Sequence, residues 1–383
     1  VLGIETSCDD TAAAVVNDRK ELLSQTAYSQ QNTHLKYGGI IPPVAGRHHR
    51  DNIENVVETC LNEAGLKLES IDAIAVTNRP GLQMSLDVGV RFSKFVARKC
   101  GKPLVPIHHM EAHALMARMT EDIKFPYICL LISGGHSQLA VVKAVDDFLL
   151  LGESIDDAPG EAFDKIARHL KLRNLSEFQW LNGGSAIETA AQKAIDMNRY
   201  EFPLPLSRYR DCNFSFAGLK NNAKRHIQQE TIDNELGPDE IIPNYPDFCA
   251  GFLKAISRHI CHRTQRAIEF CYKKELLPKD ETVALVVSGG VACNDVIFNN
   301  VAHVASSFGM MAYRPPKKLC SDNGVMIAWN GVEKILANPE CLNQDLDEIQ
   351  VIPKCSLGEN IIEEVRNENI KCNWVKLPKV EGA

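Results

Sequence analysis

In the stretch Pro106-Ile107-His108-His109-Met110-Glu111-Ala112-His113, two imidazoles recur at a ligand-like spacing, and Ala112 to Met119 is rich in helix formers. On a helix, His109 and His113 at i and i+4 lie on one face with Cβ atoms roughly 5 to 6 Å apart, so both rings can bind one metal ion. A third ligand must come from elsewhere. Asp322, in the loop Lys317 to Gly324 ahead of a helix predicted over Val325–Leu336, is the best-placed candidate, although such a position most often serves as an N-cap. The pattern is not that of a metalloprotease. In His-Glu-x-x-His the glutamate follows the first histidine directly, whereas here Met110 holds that place and Glu111 lies about 200° around the helix from His109.

The second chemical signal is a set of tight turns. Val1–Glu5 reads as a strand, Thr6-Ser7-Cys8-Asp9-Asp10-Thr11 as an acidic, hydroxyl-rich tip, and Ala12–Val16 as the returning strand. Its backbone N–H groups and the hydroxyls of Ser7 and Thr11 suit a phosphate, while Asp9 or Asp10 suits a cation or an ordered water. The same organisation recurs where the apolar strand Tyr127–Ile132 breaks at Ser133-Gly134-Gly135-His136 and Gln138–Val142 returns. A third copy, Val283–Val287 followed by Ser288-Gly289-Gly290-Val291-Ala292-Cys293-Asn294, opens a helix, whose free N–H groups favour an anion. Asn182-Gly183-Gly184-Ser185-Ala186-Ile187-Glu188 is another glycine pair at a helix start. Asp164, in the acidic segment Asp156–Lys165, suits either ribose hydroxyls or a helix dipole. Recurrence after buried strands points to two related halves facing one cleft.

The elements that position these turns alternate between strand and helix. Lys36–Pro43 reads as a loop stiffened by prolines, Gly46-Arg47-His48-His49-Arg50 opens a helix to about Ala64, Ile71–Val76 is a strand, Leu86–Cys100 a helix and Pro103–Ile107 a strand. Asp211–Arg225 is a basic, aromatic segment, Glu230–Asn244 an acidic surface loop, and the chain from Ile349 a tail with one more helix, Glu359–Glu368. A chain of 383 residues implies two domains or one duplicated fold. Thirteen scattered cysteines without a Cys-x-x-Cys argue against a disulfide framework and a zinc ribbon, and place the chain in a reducing compartment. The longest apolar runs fall far short of the ~20 residues that span a bilayer. A net charge of −7 confines any nucleic-acid contact to local basic patches, of which Arg47 with Arg50, and Lys220 with Lys224 and Arg225, are the candidates. Val1 falls inside a strand, which implies that residues precede it in the full gene product.

Six ordered motifs together resemble the universal tRNA threonylcarbamoyladenosine transferases, once labelled O-sialoglycoprotein endopeptidases: Gly3 to Thr11, His109 to His113, Ser133 to His136, Gly160 to Lys165, Ser288 to Asn294 and Ser321 to Gly324. The resemblance covers roughly Val1 to Ala337. It implies an α/β protein of the actin, sugar kinase and heat-shock chaperone (ASKHA) fold, with two ribonuclease-H-like lobes around a nucleotide cleft, expected at 1–126 plus 325–383 and at 127–324. Carried over by position, His109, His113 and Asp322 hold one divalent metal ion per subunit, zinc or iron. Ser133, Gly134, Gly135, His136, Ser137, Asp164, Gly184, Glu188 and Asn294 bind the adenylate, with AMP or ATP using the same cleft. The implied reaction moves a threonylcarbamoyl group from threonylcarbamoyl-AMP to the exocyclic amine of adenosine 37 in tRNAs reading codons that begin with A. Its mixed anhydride is already activated, so positioning and charge stabilisation suffice without a covalent protein nucleophile. Asp10 is the candidate orienting or basic group, and a threonylcarbamoyl-AMP synthase is the implied source of the donor. The Gly-Gly-Ile-Ile-Pro-Pro-Val-Ala-Gly-Arg-His-His segment is most similar to the mitochondrial branch, which implies a matrix protein, with a bacterial cytoplasm as the alternative, and a homodimer needing no second protein and no membrane. Arg173–Trp180 and Glu230–Asn244 depart from the bacterial pattern. A sugar- or acetate-kinase-like phosphotransferase and a non-catalytic nucleotide-binding module are the rival readings; neither has an evident use for two helical histidines.

Overall fold

Strands β1 (Leu2–Glu5), β2 (Asp10–Val16) and β3 (Leu22–Ser29) form an antiparallel meander, with Leu2 opposite Val15 and Thr11 opposite Tyr28. Helices α1 (Gln31–Tyr37) and α2 (Pro42–Glu63) lead to β4 (Ile74–Arg79), and α3 (Gln83–Cys100) leads to β5 (Leu104–His108). β4 runs parallel to β1, and β5 parallel to β4, giving the order β3-β2-β1-β4-β5. The inner strands β1 and β2 are apolar nearly throughout because both faces are covered, whereas the edge strand β3 alternates covered and exposed residues. Ala13 and Val15 of β2 join Leu2, Ile4, Ile74 and the α2 and α3 side chains on one face, while Ala14 and Val16 join Val105, Ile107 and the later helix Gly324–Ala337 on the other. α4 (His109–Leu115) and α5 (Ala117–Thr120) follow β5 directly. The computed structural model describes residues 1–378 other than Gly38, Asp280 and Gln344. Gly38 of the predicted proline-stiffened loop and the last five residues of the predicted tail lie outside the described residues.

The chain then repeats itself. β6 (Tyr127–Ile132), β7 (Ser137–Val142) and β8 (Phe148–Glu153) are followed by α6 (Pro159–His169), α7 (Gly183–Ala191), α8 (Ala217–Asp233) and the 29-residue α9 (Tyr245–Lys273). β9 (Ala284–Ser288), α10 (Asp295–Ser306) and β10 (Met311–Tyr313) complete the set, β9 parallel to β6 and β10 parallel to β9. α11 (Gly324–Ala337), β11 (Glu359–Asn360) and α12 (Ile362–Asn367) close the chain. The second sheet, β10-β9-β6-β7-β8-β11, reproduces the first with β6, β7, β8, β9 and β10 in the places of β1 to β5. The shared order is that of a ribonuclease-H-like lobe, and its duplication is the ASKHA architecture.

Two units result: Val1–Ile123 with Lys143–Phe148 and Pro315–Glu359, and Lys124–Val142 with Leu149–Arg314 and Asn360–Ala383. Four segments fall on the other side of the boundary from the sequence reading: 124–126 and 360–378 go to the second unit, 143–148 and 315–324 to the first. Residues 315–324 join the first unit because Leu319 packs with Val105, Val325 and Trp329 in its core. Residues 360–378 join the second because Ile361 bonds to the Leu150 carbonyl and Trp374 stacks on His262 of α9. Ile349, read as the start of a tail, is buried in the first core. Element ends also differ. α2 begins at Pro42 and not near Gly46, because prolines are tolerated in the first turn, where no N–H is needed. α8 runs on to Asp233, so the surface loop begins after it. The predicted C-terminal helix narrows to Ile362–Asn367.

Candidate active site

Within the first unit, the carboxyl ends of the parallel strands β1, β4 and β5 come to one edge, the usual ligand-binding edge of such sheets. β5 passes into α4 without a loop, and the His108 ring caps α4 by accepting the Met110 N–H at 3.2 Å. One turn later His113 lies beside His109, with the rings edge to face and their centroids 4.7 Å apart. Asp322 arrives from the loop before α11. Its Oδ1 is 3.1 Å from His113 Nε2 and 3.5 Å from His109 Nε2. The donor atoms of His109, His113 and Asp322 all lie within 4.8 Å of one another. The helix cap is the neighbour, Asn323, whose Oδ1 accepts the Met326 N–H at 2.9 Å, so Asp322 is not the N-cap. Glu111 turns to Lys334 at 2.8 Å, as the helical geometry required.

Two residues not singled out as ligand partners complete the group. Glu5, at the end of β1, approaches His109 Nδ1 with Oε2 at 3.3 Å, and Ser7 Oγ is 3.1 Å from the same nitrogen. Thr77 on β4 donates to Glu5 Oε2 at 2.5 Å, and the Ser7 N–H donates to Oε1. A carboxylate only accepts, so Nδ1 of His109 carries hydrogen and Nε2 is the atom left for a metal. Burial opposes a charged ring at His109, yet Asp322 and Glu5 outweigh it and raise it to about 10; burial lowers His113. Burial also opposes charge on Glu5 and Asp322, but the neighbouring imidazoles hold both below the usual carboxylate range, Asp322 far below. Two carboxylates around two imidazoles make an electronegative pocket of oxygen and nitrogen donors, which fits a divalent cation. The signal for Glu5 was a charge ending a buried apolar strand.

The tip between β1 and β2 is held from outside. The His49 ring of α2 donates from Nε2 to the Cys8 carbonyl at 3.0 Å, which leaves Nδ1 to accept from Thr11 Oγ1 at 2.7 Å. Ser85 of α3 also donates to the Cys8 carbonyl, at 3.0 Å. The hydroxyls of Ser7 and Thr11, read as phosphate contacts, are thus engaged by His109 and His49. Asp10 sits half-buried on this tip, and burial lifts its carboxyl to about 6 against a hydrogen bond from Ser29.

In the second unit, four turns link into a ring. Gly160, at the start of α6, approaches the β6–β7 turn so closely that a Cβ there would fall 2.8 Å from Gly134 Cα, and its N–H donates to the Ser133 carbonyl at 3.1 Å. Asp164 Oδ1 accepts the Gly183 N–H at 2.8 Å, and burial raises its carboxyl. Glu188 Oε1 accepts the N–H groups of Asp295 and Val296 at 2.7 and 3.3 Å, while Asn294 Oδ1 caps the same helix through Ile297 N–H. Gly289, with φ of +96°, closes the ring. A Cβ there would fall 2.3 Å from the Ile132 carbonyl oxygen, so only glycine fits. Ser133 Oγ accepts from the N–H groups of Gly135 and His136, and Gly134 and Gly135 stand exposed. Buried atoms Ser137 Oγ, Ser288 Oγ and Asn294 Nδ2 have no hydrogen-bond partner among the described residues. Such atoms beside the exposed Gly134–Gly135 turn fit a polar ligand. Ser288–Asn294 does not open α10 directly: a single 3₁₀ turn, Gly290–Cys293, intervenes.

The proposed RNA contacts divide. Arg47, Arg50, Lys224 and Arg225 are exposed, whereas Lys220 is largely covered and paired with Asp157.

Residues 21–329 match the family model described as tRNA N6-adenosine threonylcarbamoyltransferase. The chain is 52% identical to a probable mitochondrial tRNA N6-adenosine threonylcarbamoyltransferase of Drosophila melanogaster, over 98% of this chain and 93% of that one. It is 43% identical to the mitochondrial enzyme of Homo sapiens, over 98% and 90%, and 40% identical to the enzyme of Agrobacterium fabrum, over 92% of each. Among solved structures it is similar to HypF of T. kodakarensis, with a TM-score of 0.50 at 14% identity over 76% of this chain and 45% of that one, a likeness of fold alone. With most of its length matched by the family model and by relatives above 40% identity, the chain belongs to the tRNA N6-adenosine threonylcarbamoyltransferase family.

Proposed function

We propose that this protein transfers the threonylcarbamoyl group of threonylcarbamoyl-AMP to the exocyclic amine of adenosine 37 in tRNAs reading codons that begin with A. The observation that carries the reading is the His109, His113 and Asp322 group backed by Glu5, for which a sugar kinase or a passive nucleotide module has no use. The amine nitrogen bonds to the carbamoyl carbon as the carbon–oxygen bond to phosphate breaks. AMP leaves with that electron pair, and the amine gives up a proton. In this reading Ser133 to Ser137, Asp164, Gly184, Glu188 and Asn294 hold the adenylate, and Asp10 orients the amine or takes its proton. His109, His113 and Asp322 would hold a zinc or iron ion, with Glu5 and Ser7 fixing the His109 tautomer. When bound, such an ion supplies positive charge that offsets charge on the departing phosphate. The donor comes from a threonylcarbamoyl-AMP synthase, the protein works as a homodimer, and its place is the mitochondrion, the compartment in the names of its animal relatives.

Purified protein given labelled threonylcarbamoyl-AMP and tRNA tests this. Label in the tRNA with one AMP released per transfer is the expected result. ATP turnover on a small alcohol without labelled RNA would replace the reading with a kinase, and bound nucleotide without any transfer would replace it with a binding module.

A further inference from the structure

Away from the turns that bind the adenylate in the reading above, the second unit carries an open cavity of about 400 Å³ lined by Arg208, Tyr209, Arg210, Asp211, Arg366 and Asn369. Its floor is held from below. The buried Arg263 donates to the carbonyls of Leu206 at 2.5 Å, Tyr209 at 3.2 Å and Asp211 at 2.8 Å. Arg266, also buried, donates to those of Tyr209 at 3.2 Å and Asp211 at 2.9 Å. Leu206 is held at φ of +49°, a conformation bulky residues rarely adopt, so the loop is kept in shape against its local preference. Five guanidiniums line or underlie the groove, against the carboxylates of Asp211 and Glu363, in a protein whose net charge is −7. Arg210 is aligned by the side-chain oxygen of Asn369 at 2.9 Å and makes no ion pair among the described residues. Arg208 and the Tyr209 ring are exposed. A stiff floor, an excess of arginine and an exposed aromatic ring are the composition of a surface that grips phosphodiesters and stacks a base or ribose. An acidic peptide has no equal use for the ring.

We infer that Arg208, Arg210 and Arg366 with Tyr209 form a phosphodiester-binding groove for the tRNA substrate, away from the modified base. This rests on the transferase reading above. The chain sets its distance from the adenylate turns. Arg210 is five residues from Ser215, which spans at most about 18 Å. Ser215 donates to Asp156 at 2.5 Å, and Asp156 lies three residues before α6, whose start touches the Ser133–Gly134 turn. An RNA whose target amine meets the donor held at those turns therefore reaches the groove.

Labelled tRNA titrated at several KCl concentrations against wild type, Arg208→Ala/Arg210→Ala, Arg208→Lys/Arg210→Lys and Tyr209→Ala decides it. The double alanine variant should bind about tenfold more weakly near 0.1 M salt, with a log–log salt slope smaller by about 1.4 to 1.8, while its melting curve and AMP affinity stay those of wild type. The double lysine variant should keep the slope, and Tyr209→Ala should lose affinity without changing it. Superimposable titrations of wild type and double alanine variant, with wild type binding normally, would overturn the groove alone. A loss confined to poly-glutamate binding, with tRNA unaffected, would overturn it in favour of an acidic peptide. Wild type that neither binds nor modifies tRNA would overturn the transferase reading instead.

Discussion

His109 shows how one side chain is shaped by three others from two distant parts of the chain: Glu5 and Ser7 hold Nδ1, and Asp322 faces Nε2. Replacing His109, His113 or Asp322 by alanine should reduce metal content, by elemental analysis, from about one ion per chain to near zero without unfolding the protein. Full metal content in all three variants would refute the assignment. Glu5→Gln should keep the site but weaken metal affinity about 10- to 100-fold, the usual effect of losing a partner behind a ligand. Asp10 gives a separate test, through stability. Its folded value near 6 lies above the ordinary 3.8, so the protonated form is the one folding favours. Its contribution is therefore complete below about pH 3.8 and lost as pH rises through about 6. Asp10→Asn, which never ionises, should melt with wild type at the acid end and increasingly above it toward pH 7.5, by up to about 3 kcal/mol at 1.4 kcal/mol per pKa unit. A melting difference that does not change with pH would contradict a buried, costly carboxylate.

The same device appears at the ends of helices. α10 begins at Asp295 under two acceptors, its own cap Asn294 and Glu188 from α7, so the helix start and the glycine pair at 183–184 are tied together. A carboxylate on the N–H groups of a helix start gains from both hydrogen bonding and the helix dipole. Glu188→Ala should cost about 1 to 2 kcal/mol and speed hydrogen exchange at the Asp295 and Val296 amides, while Glu188→Gln, which keeps an acceptor, should cost less. Unchanged exchange in the alanine variant would show that Glu188 does not hold α10. Much at this scale was readable beforehand. Periodic apolar strands and the i, i+4 histidines depend on neighbours only a few residues away, so they survive without knowledge of the rest. The capping role left open at Asp322 falls to Asn323, because either side chain can cap and the choice depends on what else each can bond.

At the scale of the whole molecule, the repeated strand order explains why strand-then-turn segments recur: the Ser133–His136 turn follows β6 as the Thr6–Asp9 tip follows β1, and Gly289 follows β9 as Pro80–Gly81 follows β4. A homodimer active without a second protein should give twice the chain mass by light scattering at working concentration; a strict monomer, or an enzyme silent until a partner is added, would refute that. Local spacing and composition alone were enough to determine the alternation of strands and helices, the histidine pair on one face of α4 and the glycine turns, and six ordered motifs were enough to name the family. Tertiary structure decided which distant groups complete each site. His113 and Asp322 are 209 residues apart, and His109 and Glu5 are 104. It also turned the Ser7 and Thr11 hydroxyls inward to His109 and His49, and bent the buried Arg263 and Arg266 under an exposed arginine loop. A side chain's partner is set by packing between elements far apart in the chain, and such contacts leave no periodic trace in the residues themselves.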